Sequence, residues 1–131
     1  MVREPLDNSA PAGPPVVAAE GEVNGYWVVR AQGDLDSDTI DPLFIALWQA
    51  VPGHQVVVLD ASAVTFADSS FLSLLIEVHR RTELRVAAPG AVLTRLLRTA
   101  GVDRVIRSYP TLDAALGEPP RGSSTPPVPS G

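Results

Sequence analysis

Apolar residues change their spacing along the chain, and each change marks an element. Asn24-Gly25 is a hairpin signal, because both residues tolerate positive φ. Before it, Val16, Val17, Ala18 and Ala19 form a short candidate strand. After it, Tyr26 to Gln32 (YWVVRAQ) is β-branched and aromatic and stops at Gly33. Leu43, Leu47 and Ala50 then recur at helical spacing, so a helix is expected over Thr39 to Val51, with Pro42 in its first turn and Pro52-Gly53 as its stop. Gln55 to Asp60 carries Val56, Val57, Val58 and Leu59 without alternation, which is how a central strand covered on both faces reads. A short connection through Val64, Thr65 and Phe66 leads to a helix from Ser69 to Arg81, for which Asp68 and Ser69 are good N-caps. The series continues with a strand over Leu84 to Ala88 and a turn at Pro89-Gly90. A helix over Ala91 to Ala100 follows, with Val92, Leu93, Leu96 and Leu97 inward and Gly101 as its stop. Val105-Ile106 is a last short strand, and Thr111 caps a terminal helical turn carrying Leu112, Ala115 and Leu116. A hairpin followed by repeated βα steps implies an α/β domain whose mixed sheet is parallel in its interior and covered by helices.

Composition trims this picture at both ends. Of 13 prolines, nine lie in residues 1 to 20 or 118 to 131, and with Gly, Ser and Ala they give segments too poor in apolar surface to offset ordering entropy. Residues 1–15 and 118–131 are therefore expected to be disordered tails, and 16–117 the folded domain. About 100 residues is one core and at most one shallow site. The 131 residues include 0 Cys and no Lys, so disulfides, thiolate metal sites and a cysteine nucleophile are excluded, and only His54 and His79 offer imidazole. No cofactor or metal is expected. A net charge of −5, with no basic cluster denser than Arg80, Arg81 and Arg85, argues against nucleic acid. No apolar export segment opens the chain and no 18-residue apolar run occurs, which points to the cytosol and away from a membrane.

The most informative stretch is residues 56 to 81, VVVLDASAVTFADSSFLSLLIEVHRR. It puts an aspartate and two serines at a strand-to-helix junction. At about 100° per residue, Leu72, Leu75, Ile76 and His79 share one face and Ser70, Ser73, Glu77 and Arg81 the opposite one. Leu74 falls on the border of the polar face, giving a hydroxyl-rich strip with an apolar neighbour.

Gly33-Asp34-Leu35-Asp36 resembles the G-E-L-D that follows the second strand of STAS domains. Leu59-Asp60 through Phe66-Ala67-Asp68-Ser69-Ser70, with Leu72, resembles their L-D-x-S-x-V-x-F-x-D-S-S run. Ala88-Pro89 through Arg95-Leu96-Leu97 and Gly101-Val102-Asp103 resembles their third helix and its glycine stop. Spanning about residues 16 to 117, the chain is most similar to bacterial anti-sigma factor antagonists. The resemblance implies a single STAS domain of about five strands and four helices. It implies no catalysis by the chain itself, but binding to an anti-sigma factor whose histidine-kinase-like ATPase domain acts as a serine kinase, so that a sigma factor is released. Ser69 is the implied phosphorylation site, reset by a metal-dependent serine phosphatase, and ATP belongs to the partner. The implied partner surface comprises Asp34, Asp36, Asp68, Ser69, Ser70, Phe71, Ser73 and Leu74. Phe71 departs from the family, which commonly has Gly there. It fills an apolar gap in the core, serves as an anchor for a different partner, or crowds a kinase active site that expects no side chain there.

Simpler readings stand beside this one. Asp68 and Ser69 can be helix caps and nothing more, and Asp34, Asp36, Asp38 and Asp41 lack the glycine and terminal glutamate of a calcium loop, so they read as a solvated turn. His79 reads as packed and His54 as an exposed loop residue. Asp60, at the end of a buried strand, invites comparison with the phosphoacceptor of a response-regulator receiver, but the lysine that receivers use is absent. A serine hydrolase would need a base near Ser69 or Ser70; no G-x-S-x-G elbow is present, and His79 lies about ten residues, roughly 15 Å, further along the helix. A STAS scaffold or sensor regulated without phosphorylation is the remaining alternative.

Overall fold

Asn24 (φ 55°) and Gly25 (φ 88°) both adopt the left-handed backbone that a tight hairpin needs. They fold β1 (Val17–Val23) antiparallel onto β2 (Tyr26–Leu35), pairing Val23 with Tyr26. The computed structural model describes residues 15–120, and expectations for 1–14 and 121–131 lie outside that range. After β2 come α1 (Asp41–Ala50), a 3-10 turn (Val51–Gly53), β3 (Val56–Ala67), α2 (Ser69–His79), β4 (Glu83–Ala87) and α3 (Ala91–Thr99). A second 3-10 turn (Val102–Arg104), β5 (Arg107–Tyr109) and α4 (Leu112–Leu116) complete the domain. The sheet order is β1-β2-β3-β4-β5, parallel from β2 onward. This is the α/β architecture of five strands and four helices expected from the pattern.

The unbroken apolar run of β3 is divided between two layers. Val57 and Leu59 join Val29, Leu84 and Val86 under α1, α2 and α3, whereas Val56 and Val58 face the other way with Tyr26, Val28, Ala87 and Tyr109, against Ala115 of α4. Burial on both sides is why the run Val56 to Leu59 needs no polar positions. Gly101 adopts φ 76° after α3, as a helix-terminating glycine does.

Several boundaries differ from the sequence reading. Rather than ending at Asp60, β3 continues to Ala67, because its second half pairs with the end of β2 from Gln32↔Ala63 to Leu35↔Ala67. Two irregularities in that ladder flank the positive φ of Gly33 (78°) and let the strands bend together. Helix α1 starts at Asp41, not Thr39, since Thr39 is held in a turn by Asp36. The last strand is Arg107–Tyr109, not Val105-Ile106: Val105 is exposed, while Tyr109 packs on the sheet. In α3 only Leu93 and Leu97 are buried; Leu96 is half-buried, and Val92, expected inward, is 63% exposed. His54 is half-buried, with its ring 5.0 Å from Trp27 and its Nδ1 2.8 Å from the Ala50 carbonyl at the end of α1.

On the α4 side of the sheet, Arg85 is fully buried. Its guanidinium lies 5.0 Å from the Tyr26 ring and 5.7 Å from Tyr109. It donates to Glu83 Oε2 (2.8 Å) and to the carbonyls of Ala115 (2.6 Å), Glu118 (2.8 Å) and Pro119 (2.8 Å). The Tyr26 hydroxyl also donates to the Glu118 carbonyl, and the Glu118 carboxylate accepts from Tyr109 and Arg107. The chain is thus clasped to the sheet through Pro119, beyond the boundary expected at 117. Pro15 and Val16, at the other end, are tied to Gln32.

Candidate functional site

Pairing Leu35 with Ala67 brings the ends of β2 and β3 side by side at the C-terminal edge of the parallel sheet. The Asp68 N–H donates to the Leu35 carbonyl (3.2 Å), so the acidic turn after β2 and the start of α2 share one corner. Asp34 accepts a 2.6 Å hydrogen bond from the Thr65 hydroxyl. Asp36 Oδ1 accepts from the Asp38 and Thr39 N–H groups (2.9 and 3.2 Å), an Asx turn that Thr39 closes by donating its hydroxyl to the Asp34 carbonyl (2.8 Å). The Asp36 carboxylate thus builds the turn, and the Asp34 carboxylate ties its start to β3. Among the described residues, no group of three or more His, Cys, Asp or Glu is placed to hold a metal.

Asp68 is the N-cap of α2. Its backbone is extended and Oδ1 accepts from the Ser70 N–H at 2.9 Å, an arrangement worth about 1 kcal/mol. Ser69 follows as the first residue of the helix and is exposed; Ser70 is half-buried. Ser73 is also exposed, one turn further along α2. The structure therefore gathers Asp34, Asp36, Asp68, Ser69 and Ser70 at one end of the domain, with Ser73 on the outer face of the adjoining helix.

It does not bring Phe71 and Leu74 to that surface. Phe71 has no exposed area and Leu74 is 5% exposed; both face the core with Leu75 and Val78. Residues 71, 72, 74, 75, 76 and 78 are all apolar, so two helical registers one residue apart fit the same sequence. The bulk of Phe71 selects the register that buries it. Phe71 is accordingly a core residue, and as an exposed anchor it is excluded.

The residues of the alternative readings have other engagements. Asp60 lies inside β3 with seven strand residues after it, is 5% exposed, and binds the Ser62 N–H (3.0 Å) and Arg30 (3.4 Å) on the α4 side of the sheet. His79 ends α2 and accepts the Leu84 N–H at Nδ1 (3.1 Å), which places it at the far end of the helix from Ser69. Thr39 and Thr65, which brace the acidic corner, and the exposed Phe66 (49%) were not among the expected site residues. The alternation Val64-Thr65-Phe66, read as more strand, would have placed the last two at the corner.

A family model described as Mlab, STAS domain, matches residues 18–108. The anti-sigma-F factor antagonist RsfB of Mycobacterium tuberculosis is 31% identical over 98 residues, which cover 71% of this chain and 80% of RsfB. The chain belongs to the STAS-domain family of anti-sigma factor antagonists. The crystal structure of an anti-sigma factor antagonist from Mycobacterium paratuberculosis superposes on this STAS domain with a TM-score of 0.71 at 31% identity, covering 76% of this chain and 89% of the other. Bacillus SpoIIAA in its phosphorylated form shares the STAS fold with a TM-score of 0.59 at 16% identity, over 76% of this chain and 96% of its own. Among the described residues of this STAS domain, no helix is long and apolar enough to cross a membrane.

Proposed function

We propose that this chain is a phosphorylation-controlled switch in the cytoplasm. Unphosphorylated, it binds an anti-sigma factor whose histidine-kinase-like ATPase domain is a serine kinase, and so frees a sigma factor. Phosphorylation of Ser69 breaks that complex, and a metal-dependent serine phosphatase restores it. The observation that carries this reading is the exposed Ser69 on the first turn of α2, immediately after the Asp68 cap and beside the Asp34–Asp36 turn. The phosphorylated form recorded for Bacillus SpoIIAA, a protein of the same fold, agrees with it. Phe71, which in an exposed position would crowd a kinase, is buried.

A phosphate adds about −1.5 to −2 charges. At a helix N-terminus the macrodipole and first-turn N–H groups favour an anion, so the helix itself does not melt. The penalty falls on the interface instead. The new charge stands beside the carboxylates of Asp68, Asp34 and Asp36, and a partner that covers this corner must desolvate all of them together.

Ser69→Ala is expected to bind a kinase-bearing anti-sigma factor as tightly as the unphosphorylated protein and to stay bound when ATP is added. Ser69→Asp is expected to bind at least tenfold more weakly. Titration calorimetry or biolayer interferometry on both variants checks this; equal affinities would overturn the phosphoswitch.

A further inference from the structure

In helix α1 (DPLFIALWQA) only Asp41 and Gln49 are not apolar. Leu43, Ala46, Leu47 and Ala50 make its buried face. The opposite face is apolar as well: Phe44 is 50% exposed and Ile45 53%, and half-buried Trp48 stands beside Phe44 with ring centroids 6.1 Å apart. A helix apolar all round is one that is covered all round, and contiguous exposed apolar surface on a small domain marks a contact. Among the described residues that outer face is open to solvent.

The charges at its two ends name the occupant. Exposed Asp41 begins the helix, and Trp48 lies about 10 Å further along it. Over the Trp48 ring, 5.8 Å from its centroid, is the guanidinium of exposed Arg81, just beyond the end of α2. Among the described residues neither Asp41 nor Arg81 has an ion-pair partner. Asp41, Ile45 and Trp48 recur at i, i+4 and i+7, so they line one stripe that is acidic at one end and, through Arg81, basic at the other. Turned end for end, such a stripe is complementary to itself, which is what an isologous two-fold contact requires. We infer that α1 is a homodimerisation surface on which a second copy of this chain packs its own α1 antiparallel. With the two-fold axis midway between Asp41 and Trp48, Phe44 and Ile45 meet their own copies, and each Asp41 faces the Arg81 of the other chain. A helix of about 15 Å covers less than the roughly 800 Å² per partner of a standard interface, so the dimer is weak and concentration-dependent. The inference does not depend on the function proposed above, because self-association is read on the chain alone.

Sedimentation velocity on the full chain tests it. The protein is expected to pass from monomer at about 5 µM to dimer at about 500 µM. Ile45→Glu is expected to weaken self-association about tenfold or more, and so are Asp41→Arg and Arg81→Asp taken singly, since each sets like charges against one another across the axis. Mixing the Asp41→Arg and Arg81→Asp proteins should restore association, because both contacts then pair an arginine with an aspartate. Val105→Glu, at a side chain 56% exposed just before β5, is the control and should associate as the parent does. All the substituted side chains are exposed, so unchanged thermal unfolding separates lost contact from lost fold. A parent protein that stays monomeric at about 500 µM overturns the inference. A dimer that Ile45→Glu leaves intact also overturns it, as does a mixture of the two charge variants that associates no better than either alone. No anti-sigma factor enters these measurements, so their failure would leave the serine switch standing.

Discussion

Arg85→Ala is expected to lower folding stability by about 3–5 kcal/mol, the range for removing one partner of a buried ion pair. The guanidinium is fully buried between two tyrosine rings and is the common donor to Glu83 and to three backbone carbonyls of the C-terminal segment. Without it Glu83 loses its counter-charge, and the carbonyls of Ala115, Glu118 and Pro119 lose a donor, each deficit costing about 1–3 kcal/mol where water cannot enter. Arg80→Ala, which removes an exposed side chain with a 3.9 Å contact to Glu77, is expected to change stability by less than about 0.5 kcal/mol. Denaturant unfolding of both variants checks the contrast, and a loss below about 1 kcal/mol at Arg85 would contradict the clasp. The same clasp has a pH signature. The Glu118 carboxyl is held below its ordinary range, first by the hydrogen bond from Tyr109 and then by the charges of Arg107 and Arg85. Its contribution is therefore complete above the ordinary glutamate value and is lost as pH falls through the lowered one.

Phe71→Ala is expected to destabilise the protein by about 3–5 kcal/mol, the usual cost of truncating a fully buried phenylalanine. Phe71→Gly should be worse still. Glycine within a helix adds about 0.8–1.0 kcal/mol relative to alanine. The ring fills its space in the core with Leu74, Leu75 and Val78 on the same face. Chemical denaturation measures the effect; a loss under about 1 kcal/mol would mean that the ring is not the core element its burial indicates.

Most of the fold was legible because its signals are local. Asn24-Gly25 specifies its hairpin through φ alone, Val56 to Leu59 declares a doubly covered strand, and Gly101 ends a helix in the one backbone region that glycine favours. The serine corner was legible for the same reason, since Asp68 and Ser69 are adjacent and the cap is a short-range bond. What failed depended on packing partners distant in sequence. The face of α2 could not be chosen between two apolar registers without knowing what Phe71 packs against. The second half of β3 takes its ladder from residues 32 to 35, about thirty positions earlier. Arg85 sits in a strand whose alternation, Glu-Leu-Arg-Val, ordinarily puts the charge in solvent; its acceptors at Ala115, Glu118 and Pro119 lie 30, 33 and 34 residues downstream. Val92 shows the reverse, an apolar side chain at helical spacing that faces water beside the serine corner.

The site of phosphate transfer tests the Ser69 switch. The full chain is incubated with ATP, magnesium and each of a panel of kinase-bearing anti-sigma factors, and the product is mapped by tandem mass spectrometry while complex formation is followed in parallel. One phosphate is expected, on Ser69, appearing as the complex dissociates, and none on Ser69→Ala, which stays bound. Phosphate on Ser70 or Ser73 with Ser69 unmodified, or a complex that persists after Ser69 is phosphorylated, would contradict the switch.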